Sequence, residues 1–421
     1  MHHISRFKGR QPVHDITARS ITLWVVAAAT AAAAPNEGFY PDRNTLVVER
    51  DSKVVARLPV ERVPLEFPEL EARGEGYVSL DSEGDIWAAV SYNTPAKEDG
   101  FLGRERLFYS SDGGKTWSSQ ILPLPEGCRC MAFTVLQDDT FLLISGAPNV
   151  VKGNATRRAV QVYASSDRGK TWGPTTQITS EPFEGIGEGA LSLTQLKDGT
   201  VLLPITRWTD EADGERKLLH SVYLSNDHGR NFPVSHPTFP ECYETHVIQL
   251  QSGTLLGAFR HQRKRRASET IDEIKRLGGA PEYDYAVFKH VFFGDSDDGG
   301  KTWNHFRPLR DRDGRALLTF GEAHGQLIQV SDGRVVLAHD CRYPYDQGET
   351  RARVSNDGGK TWEPEIYHLS FGHGYPSSVA LPDGTILTVT GSTPYTPSAK
   401  PVGQWSVDAI RWRLPDPPSQ P

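Results

Sequence analysis

The chain has 421 residues, enough for one large β domain, and its 39 glycines and 29 prolines imply many turns. A formal net charge of −7 argues against nucleic acid as a partner. The four cysteines, Cys128, Cys130, Cys242 and Cys341, are not spaced as a zinc site.

In chain order, the first feature is ITLWVVAAATAAAAP, 21–35, an apolar run with basic residues upstream and small residues at its end. It reads as an export signal cut near Ala34, with residues 1–34 as leader and 35–421 as one domain. The run is too short for a membrane span, so the mature chain is expected to have none and to be periplasmic or secreted. TLVVERDSKVVARL, 45–58, is the first strand region.

Two patterns then alternate. One is Ser-x-Asp-x-Gly-x-Thr-Trp, as in YSSDGGKTW, 109–117, with Asp112, Asp167, Asp227, Asp298 and Asp357 as its acids and Asn231-Phe232 as a degenerate ending. The short Asp caps backbone N–H groups and Gly supplies positive φ, so each copy is a self-stapled hairpin remote from chemistry. The other is an apolar strand, a tight turn and a second apolar strand, as in HVIQLQSGTLLGAF. Its six turns centre on Gly84, Asp139, Gly199, Gly253, Gly333 and Gly384. Six units of about four strands predict an all-β, six-bladed β-propeller with Asp-box hairpins. The last strand region, 404–414, is expected to share a blade with the first, which closes the ring. In the fourth unit, RHQRKRR, 260–266, reads as a solvated loop, and ASETIDEIKRLGG, 267–279, has helical periodicity and could cap one rim.

The strand before each turn should line the central funnel, and residues nine and eleven before the turn share one face of it. These are Glu75 and Arg73, Cys130 and Cys128, Ala190 and Glu188, Glu244 and Cys242, His324 and Glu322, and Tyr375 and His373. A bland core would place Val, Leu and Ala there. A polar, titratable set at one mouth points to a site, against the alternative of a water-filled channel.

The boxes and the six-unit count resemble the sialidase (neuraminidase) superfamily of the Asp-box, or BNR-repeat, kind. YETHVIQLQSGTLLGAFR resembles the segment that carries a Glu and a following carboxylate-binding Arg, here Glu244 and Arg260. GYPSSVALPDGTILTV resembles the segment that carries a nucleophilic Tyr, here Tyr375. The resemblance implies a retaining exo-α-sialidase acting on terminal sialic or related acidic sugars of a glycan. A sialoside has a carboxylate on its anomeric carbon, which repels a carboxylate nucleophile, so a Tyr attacks instead. Glu244 would take its proton, and Asp99 in NTPAKEDGF would be the acid. Arginines would bind the sugar carboxylate: Arg260, Arg73, and either Arg342 or Arg351. The family's opening arginine motif is absent, and Arg73 sits one position out of register.

The surplus of Glu75, Glu188, Glu322, His324 and His373 at the mouth keeps two alternatives open. One is another glycan enzyme, a lyase at uronic acids or a neutral-sugar hydrolase, with room for a metal on Glu188, Glu322, His324 and His373. The other is a glycan-binding propeller without catalysis. The main reading requires no metal or other cofactor, and oligomeric state is not legible.

Overall fold

The structure is a computed structural model that describes residues 41–65, 74–94, 102–125, 130–146, 159–187, 192–210, 216–283, 286–341, 348–371, 374–392 and 406–417. The expected leader, 1–34, lies outside them. Among the described residues the strands form six antiparallel sheets, the blades of a β-propeller. Blade one is Gly74–Leu80, Ile86–Thr94, Leu102–Ser110 and Ser118–Ile121. Blade two runs from Cys130–Val135 to Gly173–Thr179. Blade three is built around the long hairpin Val201–Asp210 and Arg216–Ser225. Blade four is Cys242–Gln249, Leu255–Arg263, Phe288–Ser296 and Asn304–Pro308. Blade five is Glu322–Gln329, Val335–Cys341, Glu349–Ser355 and Ile366–Phe371. Blade six is Ser377–Ala380, Ile386–Ser392 and Ser406–Trp412, completed by Glu61–Pro64 from the other end of the chain.

That closure corrects one expectation. The strand that pairs with Ser406–Trp412 is Glu61–Pro64, whereas Thr45–Arg50 and Lys53–Pro59 form a hairpin added to the outer edge of blade five. N- and C-terminal strands do share a blade, but the N-terminal segment braces two neighbouring blades.

Each first hairpin turns where the sequence places it. Gly84, Asp139, Gly199, Gly253, Gly333 and Gly384 all have positive φ. Side-chain bonds then link the inner strands around the ring. Val135 N donates to Ser79 Oγ (3.0 Å), Gln137 N to Gln195 Oε1 (2.7 Å), Lys197 N to Gln249 Oε1 (2.8 Å) and Gln251 N to Gln329 Oε1 (2.7 Å). Ser377 Oγ accepts from Gln326 Nε2 (2.7 Å) and from Val78 N (2.9 Å), so it joins blades five, six and one. Apolar clusters fill the wedges between blades. One packs Val78, Ile86 and Val90 of blade one on Leu387, Val389 and Val407 of blade six.

The boxes sit between the third and fourth strands. Around Asp112, Oδ1 accepts from Lys115 N and Thr116 N (3.0 Å each) and Oδ2 from Thr116 Oγ1 (2.6 Å). Trp117 Nε1 donates to Gly114 O (3.1 Å). The second box glycine also touches the neighbouring blade. A Cβ on Gly359 (φ +83°) would lie 2.5 Å or less from Leu256 of blade four, and one on Gly114 would lie 2.5 Å from Leu387 of blade six. The staple therefore holds its own hairpin and docks it on the blade before it.

The basic run is the solvated loop expected only over 264–266, which are exposed; residues 260–263 end a strand of blade four. Arg263 is buried on Glu269 and lies 4.6 Å from the Phe288 ring, and Arg266 Nη2 donates to Glu241 Oε2 (2.6 Å). The helix is present as Ile271–Arg276, with a capping box between Thr270 and Glu273. No helix among the described residues is long and apolar enough to cross a membrane.

Candidate functional site

Blades two, four and five carry the same irregularity near the start of the inner strand, between Cys130 and Ala132, Cys242 and Thr245, and Ala323 and Gln326. A bulge adds a residue and re-aims the side chains beside it. In blade five it holds His324 at φ +52°, in the left-handed region that few non-glycine residues adopt.

The consequence is a cluster drawn from three blades. Arg260 Nη1 donates to both oxygens of Glu244 (2.6 and 2.8 Å), and Arg260 Nη2 donates to Gln262 Oε1 (2.6 Å). His324 Nε2 lies 3.1 Å from Arg260 Nη1 and 3.3 Å from Glu244 Oε1. His324 Nδ1 lies 2.7 Å from Asp340 Oδ1 on the next strand. The His324 ring is 4.1 Å, centroid to centroid, from that of half-buried Tyr375, which enters from blade six at a 58° tilt. The Tyr243 ring lies 5.4 Å from the Arg260 guanidinium. Burial alone would raise the Glu244 carboxyl, but the Arg260 guanidinium beside it outweighs burial and holds it well below the usual carboxylate range. Glu244 is therefore an ionised carboxylate, hydrogen-bonded to Arg260 and 3.3 Å from the His324 ring that Tyr375 packs against.

The bulge also overturns a face assignment. Glu322 and His324 do not share a face. Glu322 accepts from Thr319 N (2.8 Å) and Thr319 Oγ1 (3.1 Å) and pairs with Arg351 Nη1 (3.2 Å). Burial pushes its carboxyl up, yet Arg351 chiefly brings it down to about 2. Arg351 also donates through Nε to Glu349 Oε2 (2.7 Å). It shares a strand face with Arg353, whose Nη2 donates to Leu317 O (3.0 Å) in the segment after blade four. The alternate residue Thr350 bonds Thr390 of blade six (2.7 Å), so Arg351 and Asp340 point to opposite sides of blade five. Cys242 packs into the apolar core between blades three and four.

Arg73, Asp99, Glu188, Arg342 and His373 lie outside the described residues, as does the side chain of Glu75. Sequence reasoning missed Asp340, Gln262 and Tyr243. Asp340 had a signal, an acid next to His339 in the mostly apolar run VVLAHDC, which is buried throughout.

Among the described residues one acidic group could hold a metal: Asp81, Glu83 and Asp85, with ligand atoms within 4.8 Å of one another. Arg168 already sits among them, 2.7, 3.0 and 2.9 Å from their oxygens. Of the four mouth residues considered for a metal, Glu322 is already bound to Thr319 and Arg351, and His324 is hydrogen-bonded to Asp340.

Comparison with known proteins agrees with this architecture. The model of the BNR repeat-like domain matches residues 130–282, and that of the BNR/Asp-box repeat matches 108–119 and 353–364. A sialidase of Bacteroides fragilis is 25% identical over 302 residues, covering 62% of this chain and 48% of its own. The chain thus spans about half the length of that curated relative. A Dyadobacter fermentans protein of unknown function superposes with a TM-score of 0.57 at 18% identity, covering 87% of this chain and 99% of its own. The microbial sialidase Hz136 gives 0.55 at 16% identity, with 86% and 71% covered. The sialidase of Trypanosoma rangeli gives 0.53 at 14% identity, with 84% and 58% covered. At these identities the structural likeness speaks for the fold.

Proposed function

We propose that this chain, an Asp-box propeller of the sialidase-like superfamily, is a retaining glycoside hydrolase of the exo-α-sialidase type with Tyr375 as nucleophile. The observation that carries the reading is that Glu244 and Arg260 of blade four and Tyr375 of blade six all lie against the His324 ring.

The chemistry follows from the charge on the substrate. Phenolic oxygen attacks the anomeric carbon without the repulsion a carboxylate would meet beside the sugar's own carboxylate. A phenol near its ordinary pKa of about 10 needs a base, and Glu244, kept ionised, accepts the proton as the bond forms. An acid protonates the leaving oxygen; Asp99 is assigned that role from its place in the chain. Water then attacks the anomeric carbon and gives a proton to the Asp99 carboxylate, while Glu244 returns its proton to the departing Tyr375 phenolate, with net retention. Arg260 would face the sugar carboxylate together with Arg73. Because Arg351 is already held by Glu349 and Glu322, Arg342 is the better candidate for the blade-five arginine. The substrate would be a terminal acidic sugar of a glycan met after export.

The test is fluorophore release from an aryl α-sialoside by residues 35–421 and by Tyr375→Phe. Turnover is expected to fall by on the order of a thousandfold or more in the variant, as for loss of a covalent nucleophile. No turnover by folded wild-type protein would sink the reading. The buried Asp340–His324 pair beside Tyr375 would then favour a uronic-acid lyase, in which those groups move a proton from the sugar carbon to the leaving oxygen.

A further inference from the structure

Asp340 has no part in the reading above, yet it is fully buried and bonded to the ring at the centre of the cluster. We propose that Asp340 and His324 are positioning residues: Asp340 fixes the tautomer of His324, and His324 sets the geometry of both Glu244 and Tyr375. The proposal rests on Tyr375 as nucleophile and Glu244 as its base.

Arg260 Nη1 has two N–H groups and no lone pair. One is shared between the two Glu244 oxygens, at 2.6 and 2.8 Å, and the other is left for His324 Nε2 at 3.1 Å. A hydrogen on Nε2 would be forced against a guanidinium hydrogen, so Nε2 accepts. The ring proton then stays on Nδ1, where Asp340 Oδ1 at 2.7 Å receives it. One directional chain results: His324 donates to Asp340, and Arg260 donates to His324 and to Glu244. The ring, fixed by the bond to Asp340, packs against the Tyr375 ring, 4.1 Å between centroids at a 58° tilt, and so sets where that ring lies. The left-handed backbone at His324 is what brings the ring there, and unusual backbone of this kind is held where the surrounding structure over-determines it. The competing arrangement is an imidazolium bridging Asp340 and Glu244, whose Oε1 is 3.3 Å from Nε2.

The first test needs no substrate. Long-range nitrogen–proton spectra of histidine-labelled wild-type protein identify the His324 ring by its loss in His324→Asn, a residue that tolerates left-handed backbone. A neutral ring with the proton on Nδ1 is expected; an Nε2–H ring or an imidazolium overturns the proposal. The second test is kinetic. In His324→Asn and in the isosteric Asp340→Asn, kcat is expected to fall by about 100-fold, the scale of a displaced reacting group. KM should change by no more than about threefold, because ground-state binding is not the interaction removed. Should His324→Asn fail to fold, Asp340→Asn carries the kinetic test. Folded variants that keep kcat within about threefold of wild type, while Tyr375→Phe is inactive, overturn the positioning role and leave the nucleophile intact. An inactive wild type sinks the nucleophile, and the spectra still decide the tautomer.

Discussion

In the turn around Asp112 every capping bond closes between Ser110 and Thr116, and Trp117 folds back on Gly114. At the mouth, Glu244, His324 and Tyr375 come from three blades and meet only when the ring closes. The first region repeats and satisfies itself with its own backbone. The second occurs once, and each member depends on a neighbour from another blade. A self-satisfied turn tolerates changes elsewhere, whereas a cluster assembled from distant strands inherits any shift between blades. The ring of glutamine bonds and the docking of Gly359 on Leu256 keep those shifts small.

Acid should separate the two regions most strongly. Burial depresses His220, His246 and His261 to about 3, and His290 and His339 to about 4. They stay neutral in the fold and become charged once unfolded, near the ordinary value of about 6.5. Between roughly pH 6.5 and 4 the unfolded chain binds more protons, so stability falls as pH falls, by up to about 1.4 kcal/mol per pH unit for each histidine. His368 has the opposite sign: although burial lowers it, Glu349 and Glu49 raise it overall, so its contribution is present below pH 6.5 and lost as pH rises through its folded value. The box acids Asp167 and Asp298, held at about 2 by their own turns, stay ionised far longer. The urea midpoint should therefore be clearly lower at pH 5 than at pH 7.5. Equal midpoints would mean that the buried histidines are not neutral in the fold.

Glu244→Gln removes the charge that neutralises Arg260 in a buried setting, with an expected cost of about 3 kcal/mol. It also removes the proposed base, with an expected loss of about 100-fold in turnover. A melting curve and an assay on the same preparation check both; a stable, active variant would show that the pair neither holds the site nor takes a proton.

Within the boxes, Gly359→Ala combines left-handed strain with a clash on Leu256 and should cost about 3 kcal/mol. Gly113→Ala carries the strain alone, its nearest neighbour being Leu381 at 3.8 Å, and should cost about 1 kcal/mol. Equal losses in denaturant titration would mean that the box does not dock on the preceding blade.

The same contrast explains what the sequence disclosed. Boxes and inner hairpins use short-range chemistry, so the blade count and all six turns could be read directly. The closing strand was misplaced because Glu61–Pro64 is short and follows a stronger hairpin that pairs elsewhere. Glu244, Arg260 and Tyr375 stood out by resemblance. Counting by twos along the inner strand could not place His324 apart from Glu322, because a bulge between Ala323 and Gln326 breaks the alternation. Asp340 gave only the signal of an acid at the end of a mostly apolar strand, which does not show that it faces the mouth until the ring is built.

The most direct test of the central claim is to trap the glycosyl-enzyme. Protein incubated with a 2,3-difluorosialic acid should gain one sugar mass, and peptide mass spectrometry should place it on Tyr375, with no adduct in Tyr375→Phe. An adduct on a carboxylate, or none on active wild-type protein, would contradict a tyrosine nucleophile.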